Sequence, residues 1–177
     1  MCVGVITYFD RENNPYTVRE AVPDDAPDIV GLITQVGLEQ DYIANEGDYY
    51  SVEQQRRILA DRPPGQLVLV ALVDNRIIGT LEAVQGVFRK NRHVATMGMA
   101  LKKGFRGLGR GEGLLTALGE WAQEKDIEKI AISVFESNPT AIHFYLRHGF
   151  AVEGSRPNQF RIRGKMVAEV FMAKYLP

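Results

Sequence analysis

Residues 104–111 read Gly-Phe-Arg-Gly-Leu-Gly-Arg-Gly and separate two stretches of different period. Before them, residues 95–101 form a short, mostly apolar run of strand length. After them, Leu114, Leu115, Leu118, Trp121 and Ala122 recur at helical spacing. Residues 129–134 then read as another strand. Strand, glycine turn, helix and strand in that order predict two parallel strands joined by a right-handed crossover. The turn itself predicts an anion site. A helix N-terminus offers unpaired N–H groups and the positive end of the helix dipole. Glycines let a phosphate approach the backbone closely.

Charge supports that reading. The net charge is −1, yet residues 83–111 hold no acid and carry Arg89, Lys90, Arg92, Lys102, Lys103, Arg106 and Arg110. A basic block in an otherwise acidic chain points to an anionic ligand. Two nucleotide motifs fail on spacing. A Walker loop needs Gly-Lys-Ser or Gly-Lys-Thr where Gly111-Glu112-Gly113 stands, and a dinucleotide fingerprint needs glycine at 114 or 112, which are leucine and glutamate.

The remaining chain extends the pattern. Residues 17–22 alternate as a strand, and Pro23-Asp24-Asp25 ends it and opens a helix with Ile29, Val30, Leu32, Ile33 and Val36 as its apolar stripe. A second helix is expected from Ser51 to about Asp61, with Glu53 and Gln54 as capping partners and Pro63-Pro64-Gly65 as the stop. Residues 67–73 and 76–87 flank Asp74-Asn75 and read as a hairpin. Residues 138–148 read as a helix ended by Gly149, and residues 151–153 and 167–175 as closing strands. The fold class is therefore α/β: a mixed sheet with helices on both faces. At 177 residues it is one ordinary domain. The single cysteine, Cys2, excludes an internal disulfide and a multi-cysteine metal site. With no apolar run of membrane length and no signal-like start, a reducing, cytoplasmic setting is expected.

Arg106-x-x-Gly109-x-Gly111 resembles the acyl-CoA signature of the GCN5-related N-acetyltransferases. Ile77-Ile78-Gly79 resembles the strand before it. Asn138-Pro139-x-Ala141-x-x-x-Tyr145 with Gly149-Phe150 and Glu153-Gly154 resembles the family's second block, and Gly164-Lys165 before Phe171-Met172-Ala173 its last strand. Arg92-His93-Val94-Ala95 with Gly98 looks most like bacterial amino-acid acetyltransferases related to ribosomal-protein and phosphinothricin acetyltransferases. The resemblance runs over residues 17–175, leaving 1–16 as an N-terminal extension. It implies a mainly antiparallel sheet with a splayed central strand pair. It also implies acetyl-CoA as co-substrate and no metal. The pyrophosphate would lie on the amides of Arg106, Gly107, Leu108, Gly109, Arg110 and Gly111. The pantetheine arm would lie along Met99, Ala100 and Leu101, with Asn138 touching the cofactor.

An amine attacking a thioester needs a proton acceptor and a thiolate that can leave. Asn138 and Tyr145 are seven residues apart, about two helical turns, and so share a face. A tyrosine, pKa about 10, is still protonated when a thiol of pKa about 8.5 departs as thiolate. The resemblance gives Tyr145 that role; a core aromatic with a satisfied hydroxyl is the alternative. Asn138 also suits the cap of its own helix, with Pro139 at the first position. For the base, Glu82 acting through water and His93 are the candidates. On the acceptor side, residues 37–50 hold Glu39, Asp41, Glu46 and Asp48 with Tyr42, Tyr49 and Tyr50, acids and flat walls suited to a cationic amine. Glu39, Tyr42 and Glu46 are the acceptor candidates. A weak or water-relayed base suits an α-amine, because about a tenth of such groups are neutral at pH 7 against roughly one lysine in a few thousand. A protein N-terminus, an aminoglycoside or a polyamine remain as acceptors. A non-catalytic acyl-CoA-binding module remains as a rival class. Nucleic-acid binding lacks a motif. A homodimer is left open, with residues 161–164 placed either at such a contact or near the acceptor.

Overall fold

The computed structural model describes residues 4–47 and 50–177, so Cys2, Asp48 and Tyr49 lie outside the described residues. Eight strands form one sheet in the order β1-β2-β3-β4-β5-β6-β8-β7. They are β1 (Ile6–Phe9), β2 (Pro15–Glu20), β3 (Gln66–Val73), β4 (Arg76–Gln85), β5 (Val94–Leu101), β6 (Lys129–Phe135), β7 (Ala151–Ile162) and β8 (Lys165–Tyr175). Four helices, α1 (Ala26–Gly37), α2 (Val52–Ala60), α3 (Gly111–Glu124) and α4 (Pro139–Arg147), cover it. Every neighbouring pair is antiparallel except β5 and β6, which α3 joins as a parallel crossover.

Local chemistry sets most boundaries. Ser51 Oγ accepts from Gln54 N, and Gln54 Oε1 accepts from Ser51 N, so α2 starts on a capping box. Asp74 and Asn75, at φ 49° and 59°, make the two-residue turn that matches the twist of the β3–β4 hairpin. The two sheet faces carry separate cores. On one, Leu114, Leu118 and Trp121 of α3 pack with Leu69, Leu81 and Met97. On the other, Ile29, Leu32 and Val36 of α1 and Leu59 of α2 pack with Val68 and Val70.

Three expectations change. The stretch read as an N-terminal extension contributes β1, which pairs antiparallel with β2 from Ile6 opposite Val18 to Phe9 opposite Pro15. The strand expected from residue 17 is β2 and starts at Pro15, and β4 stops at Gln85. β7 is far longer than residues 151–153. It runs to Ile162 past Pro157 and Asn158, which look like a turn in sequence. As the outermost strand it tolerates a proline, and the ladder slips between Arg156 and Phe160.

Leu118 is fully buried among Leu114, Trp121 and the strands. Leu118→Ala is expected to lower unfolding free energy by about 2–5 kcal/mol, read from urea denaturation. A change under about 0.5 kcal/mol, the size of a surface substitution, would contradict this packing.

Candidate active site

β5 and β6 pair only where residues 94–96 meet 129–131. Beyond that point β5 still bonds to β4 out to Leu101, and β6 still bonds to β8 out to Phe135. Residues 97–101 therefore have no strand on their β6 side, and the two strands splay as expected. The gap opens a cavity of about 420 Å³, lined by both strands, the 105–111 turn, α4 and the segment after α1.

The turn at one end is built from unpaired donors. Phe105 N donates to Lys102 O and Glu112 N to Gly109 O. No backbone N–H of residues 106–111 donates to any partner among the described residues. Gly107 and Gly109 sit at φ 78° and 83°, a conformation other residues adopt at a cost. Successive N–H groups with alternating backbone sign make a concave nest for an anion. Gly113 N is taken, donating to Tyr16 Oη at 3.1 Å.

The two arginines of the turn do not supply free charge. Arg110 is buried and pairs with Asp10, Nε at 3.1 Å and Nη2 at 2.8 Å from Oδ2. Asp10 also accepts from Asn14 N and Glu12 N. Those backbone bonds, led by Asn14, outweigh burial and hold its carboxyl below the usual range. Arg106 forms two bonds to Glu39, at 2.9 and 2.7 Å, donates from Nε to Leu101 O, and lies 4.1 Å over the Tyr42 ring. Its hydrogen bonds, opposed by burial, lower the Glu39 pKa. Both guanidiniums thus act as struts, and the attraction for an anion comes from the amides. Arg11, unforeseen in the sequence, closes the turn from the β1–β2 loop. Its N–H donates to Leu108 O, its guanidinium meets Glu112 at 3.0 Å, and it lines the cavity. Of the expected cofactor residues, all but Leu108 line this cavity.

Along the gap, Asn138 Oδ1 accepts from Ala141 N and so caps α4 while lining the cavity. Tyr145 is 4% exposed, set edge-on to Phe144 and Phe150. A buried tyrosine hydroxyl ordinarily finds a partner; this one has none among the described residues and faces the cavity wall. Burial pushes its pKa well up, so it stays protonated.

The cavity also has aromatic walls, Tyr42 beneath Arg106, and Phe135 with Phe160 edge-on at 4.8 Å. Its one lining carboxylate among the described residues is Glu169 of β8. That side chain is 13% exposed, and Arg156 Nη1 stands 3.2 Å from Oε2. Oε2 accepts no hydrogen bond among the described residues. Sequence reading missed Phe160 because β7 was expected to end at 153, and missed Glu169, inside the expected last strand, because only the register that sets it opposite Phe135 of β6 brings it to the gap. The other expected residues fall elsewhere. Glu82 lines a second cavity and accepts from Gln66 Nε2 at 2.6 Å. His93 is exposed at the opposite end of β5 and lines neither cavity, so the structure gives it no place in the reaction. Glu39 is engaged by Arg106, and Glu46 is exposed and bonds Gln40. Of residues 161–164, Arg163 reaches Glu39 O and Asp41, beside the segment after α1.

Among the described residues no cluster of three or more histidine, cysteine or acidic side chains is disposed to hold a metal, and no helix is long and apolar enough to cross a membrane.

The model of the acetyltransferase (GNAT) family matches residues 35–150. L-amino acid N-acetyltransferase AaaT of Escherichia coli (strain K12) is 29% identical over 117 residues, spanning 66% of this chain and 72% of that one. A GNAT-family acetyltransferase from Streptococcus pneumoniae superposes with a TM-score of 0.84 at 28% identity, covering 92% and 99% of the two chains. A GNAT superfamily phosphinothricin acetyltransferase from Sinorhizobium meliloti, solved in complex with AcCoA, gives 0.82 at 22% identity over 91% and 88%.

The depressed pKa of Asp10 has a pH signature. Its bonds contribute fully above the unfolded carboxylate value of about 3.9 and are lost as pH falls through the lower folded value. Asp10→Asn should destabilise the protein at pH 7, and the gap from wild type should narrow as pH drops below about 4. Urea midpoints at pH 7 and pH 3 check this; an equal gap at both would contradict it.

Proposed function

We propose, on the premise that this chain belongs to the acetyltransferase (GNAT) family, that it moves an acetyl group from acetyl-CoA to the α-amine of an amino acid or a similar small primary amine. Membership makes it an acyl-CoA-dependent N-acetyltransferase, and the acceptor is the finer part of the reading. One observation carries it. A single cavity is lined by the turn with its unpaired amides, by Tyr145, whose hydroxyl has no partner among the described residues, and by the partly buried carboxylate of Glu169, which stands beside Arg156. An L-amino acid N-acetyltransferase among the relatives supports the acceptor class.

The residues fit the co-substrate. The free N–H groups of 106–111 suit its diphosphate, and the open edge of β5 suits its amide-rich arm, which would bond there as an added strand. Acetyl-CoA supplies an acyl group on a sulfur leaving group. Glu169, among aromatic walls, attracts the ammonium form of the acceptor and accepts its proton. The neutral nitrogen then forms the C–N bond as the C–S bond breaks. Tyr145, kept protonated by burial, donates its proton to the departing sulfur and regains one from the newly acylated nitrogen, so the two protons that the ammonium loses end on Glu169 and on the thiol. An α-amine, pKa about 7.7–8.0, gives up its proton far more readily than a lysine ε-amine at about 10.4.

Thiol release from acetyl-CoA over a panel of amines tests the acceptor. L-amino acids should exceed Nα-blocked lysine and polyamines at pH 7, and a clear preference for the ε-amine would refute the reading. Tyr145→Phe should lower kcat about 100-fold with little change in KM for acetyl-CoA. Glu169→Gln should raise KM for the amine and lower kcat; full activity of both variants would remove these roles.

A further inference from the structure

Arg11, Arg106, Arg110 and Arg147 all line the first cavity. The first three are each matched to a carboxylate. Arg11 meets Glu112 at 3.0 Å, Arg106 meets Glu39 at 2.7 Å and Arg110 meets Asp10 at 2.8 Å. Arg147 differs. Its side chain has no ion pair and no hydrogen bond among the described residues. It is a cavity-lining cation whose charge no neighbouring acid offsets.

Arg147 is exposed in the last turn of α4. A cation there favours the helix dipole whatever it faces, so its place around the helix is what matters. Thr140, Ala141, Phe144 and Arg147 follow one another at helical spacing, and all line the cavity. His143 and Leu146 are exposed on the same helix and do not line it. This end of α4 also stands beside the amide turn. Phe144 Cζ lies 3.2 Å from where a Cβ on Gly111 would stand. His148 Nε2 lies 3.9 Å from Glu112 Oε1, and that oxygen lies 3.3 Å from where a Cβ on Gly109 would stand.

We propose that Arg147 binds the phosphate monoester on the ribose of CoA, and that it makes this enzyme select CoA thioesters over those of 3′-dephospho-CoA. This rests on the reading of the 106–111 amides as the diphosphate site. The monoester is carried on the same ribose as the diphosphate, so a side chain beside the turn is placed to meet it. A phosphate monoester holds about −1.5 to −2 charges at pH 7 and three acceptor oxygens. A guanidinium meets such a group with paired N–H donors. Arg11 and Arg110 stand near the same turn, but Glu112 and Asp10 already neutralise them. Because Arg147 is open to water, its contact adds selectivity to a cofactor that the turn amides already hold.

Calorimetric titration of the whole chain with CoA and with 3′-dephospho-CoA tests this. Wild type should bind CoA about five- to tenfold more tightly than 3′-dephospho-CoA. Arg147→Ala should bring the affinity for CoA down to that for 3′-dephospho-CoA and leave the latter unchanged, which also shows that the variant is folded. Arg147→Gln should do the same and serves if the alanine variant does not fold. If the variants weaken both ligands by one factor, Arg147 touches another part of the nucleotide and the proposal is overturned. Wild type that binds both ligands equally overturns it too, and in either case the diphosphate site stands. If wild type binds neither ligand, the diphosphate reading fails and the role of Arg147 falls with it.

Discussion

Six consecutive backbone N–H groups, from Arg106 to Gly111, have no acceptor within the described protein. Unpaired main-chain donors are costly unless water or a ligand meets them. Much of the surrounding structure holds them in that state. Gly107 and Gly109 supply the backbone conformation. Asp10 fixes Arg110, Leu108 O accepts from Arg11, and Tyr16 Oη accepts from Gly113 N, so the β1–β2 hairpin braces the turn at three points. Arg106 ties the end of β5 to Glu39 after α1. The two arginines of the turn itself are spent on bracing, and the backbone is left to meet an anion.

The same principle governs the sheet. β5 and β6 share three residue pairs and then part, so the main chain of residues 97–101 is offered to a ligand rather than to a neighbouring strand. The gap connects the two faces. The turn, α4, Tyr42, Phe160 and Glu169 line the cavity that it opens. Tyr145 and Glu169 thereby face one space from different elements. Gly98 lines both this space and the second cavity beneath α1 and α2.

Legibility in the sequence followed locality. The glycine turn, the capping box at Ser51, the Asp74-Asn75 hairpin and the Asn138 cap are each written within a few residues, and each stands where expected. The turn side of the first cavity was readable for the same reason, since its lining residues come from short motifs. Phe160 and Glu169 were not: Phe160 needs β7 to run past Pro157-Asn158, and Glu169 reaches the gap through the long-range register of β8 against β6. Arg106 and Arg110 read as anion ligands until their partners, Glu39 and Asp10, came from 67 and 100 residues away. Glu82 and His93 were chosen by residue type near the right strand. Only the direction of a side chain and its distance along β5 separate them from the first cavity.

The central claim is that the amides of 106–111 grip a diphosphate. Amide chemical shifts in a 15N-labelled sample titrated with CoA test it most directly. The account predicts that the resonances of Gly107, Gly109, Arg110 and Gly111 move furthest and saturate together, and that 3′-dephospho-CoA moves them equally. Binding that leaves those amides unmoved, or no binding at all, would contradict it.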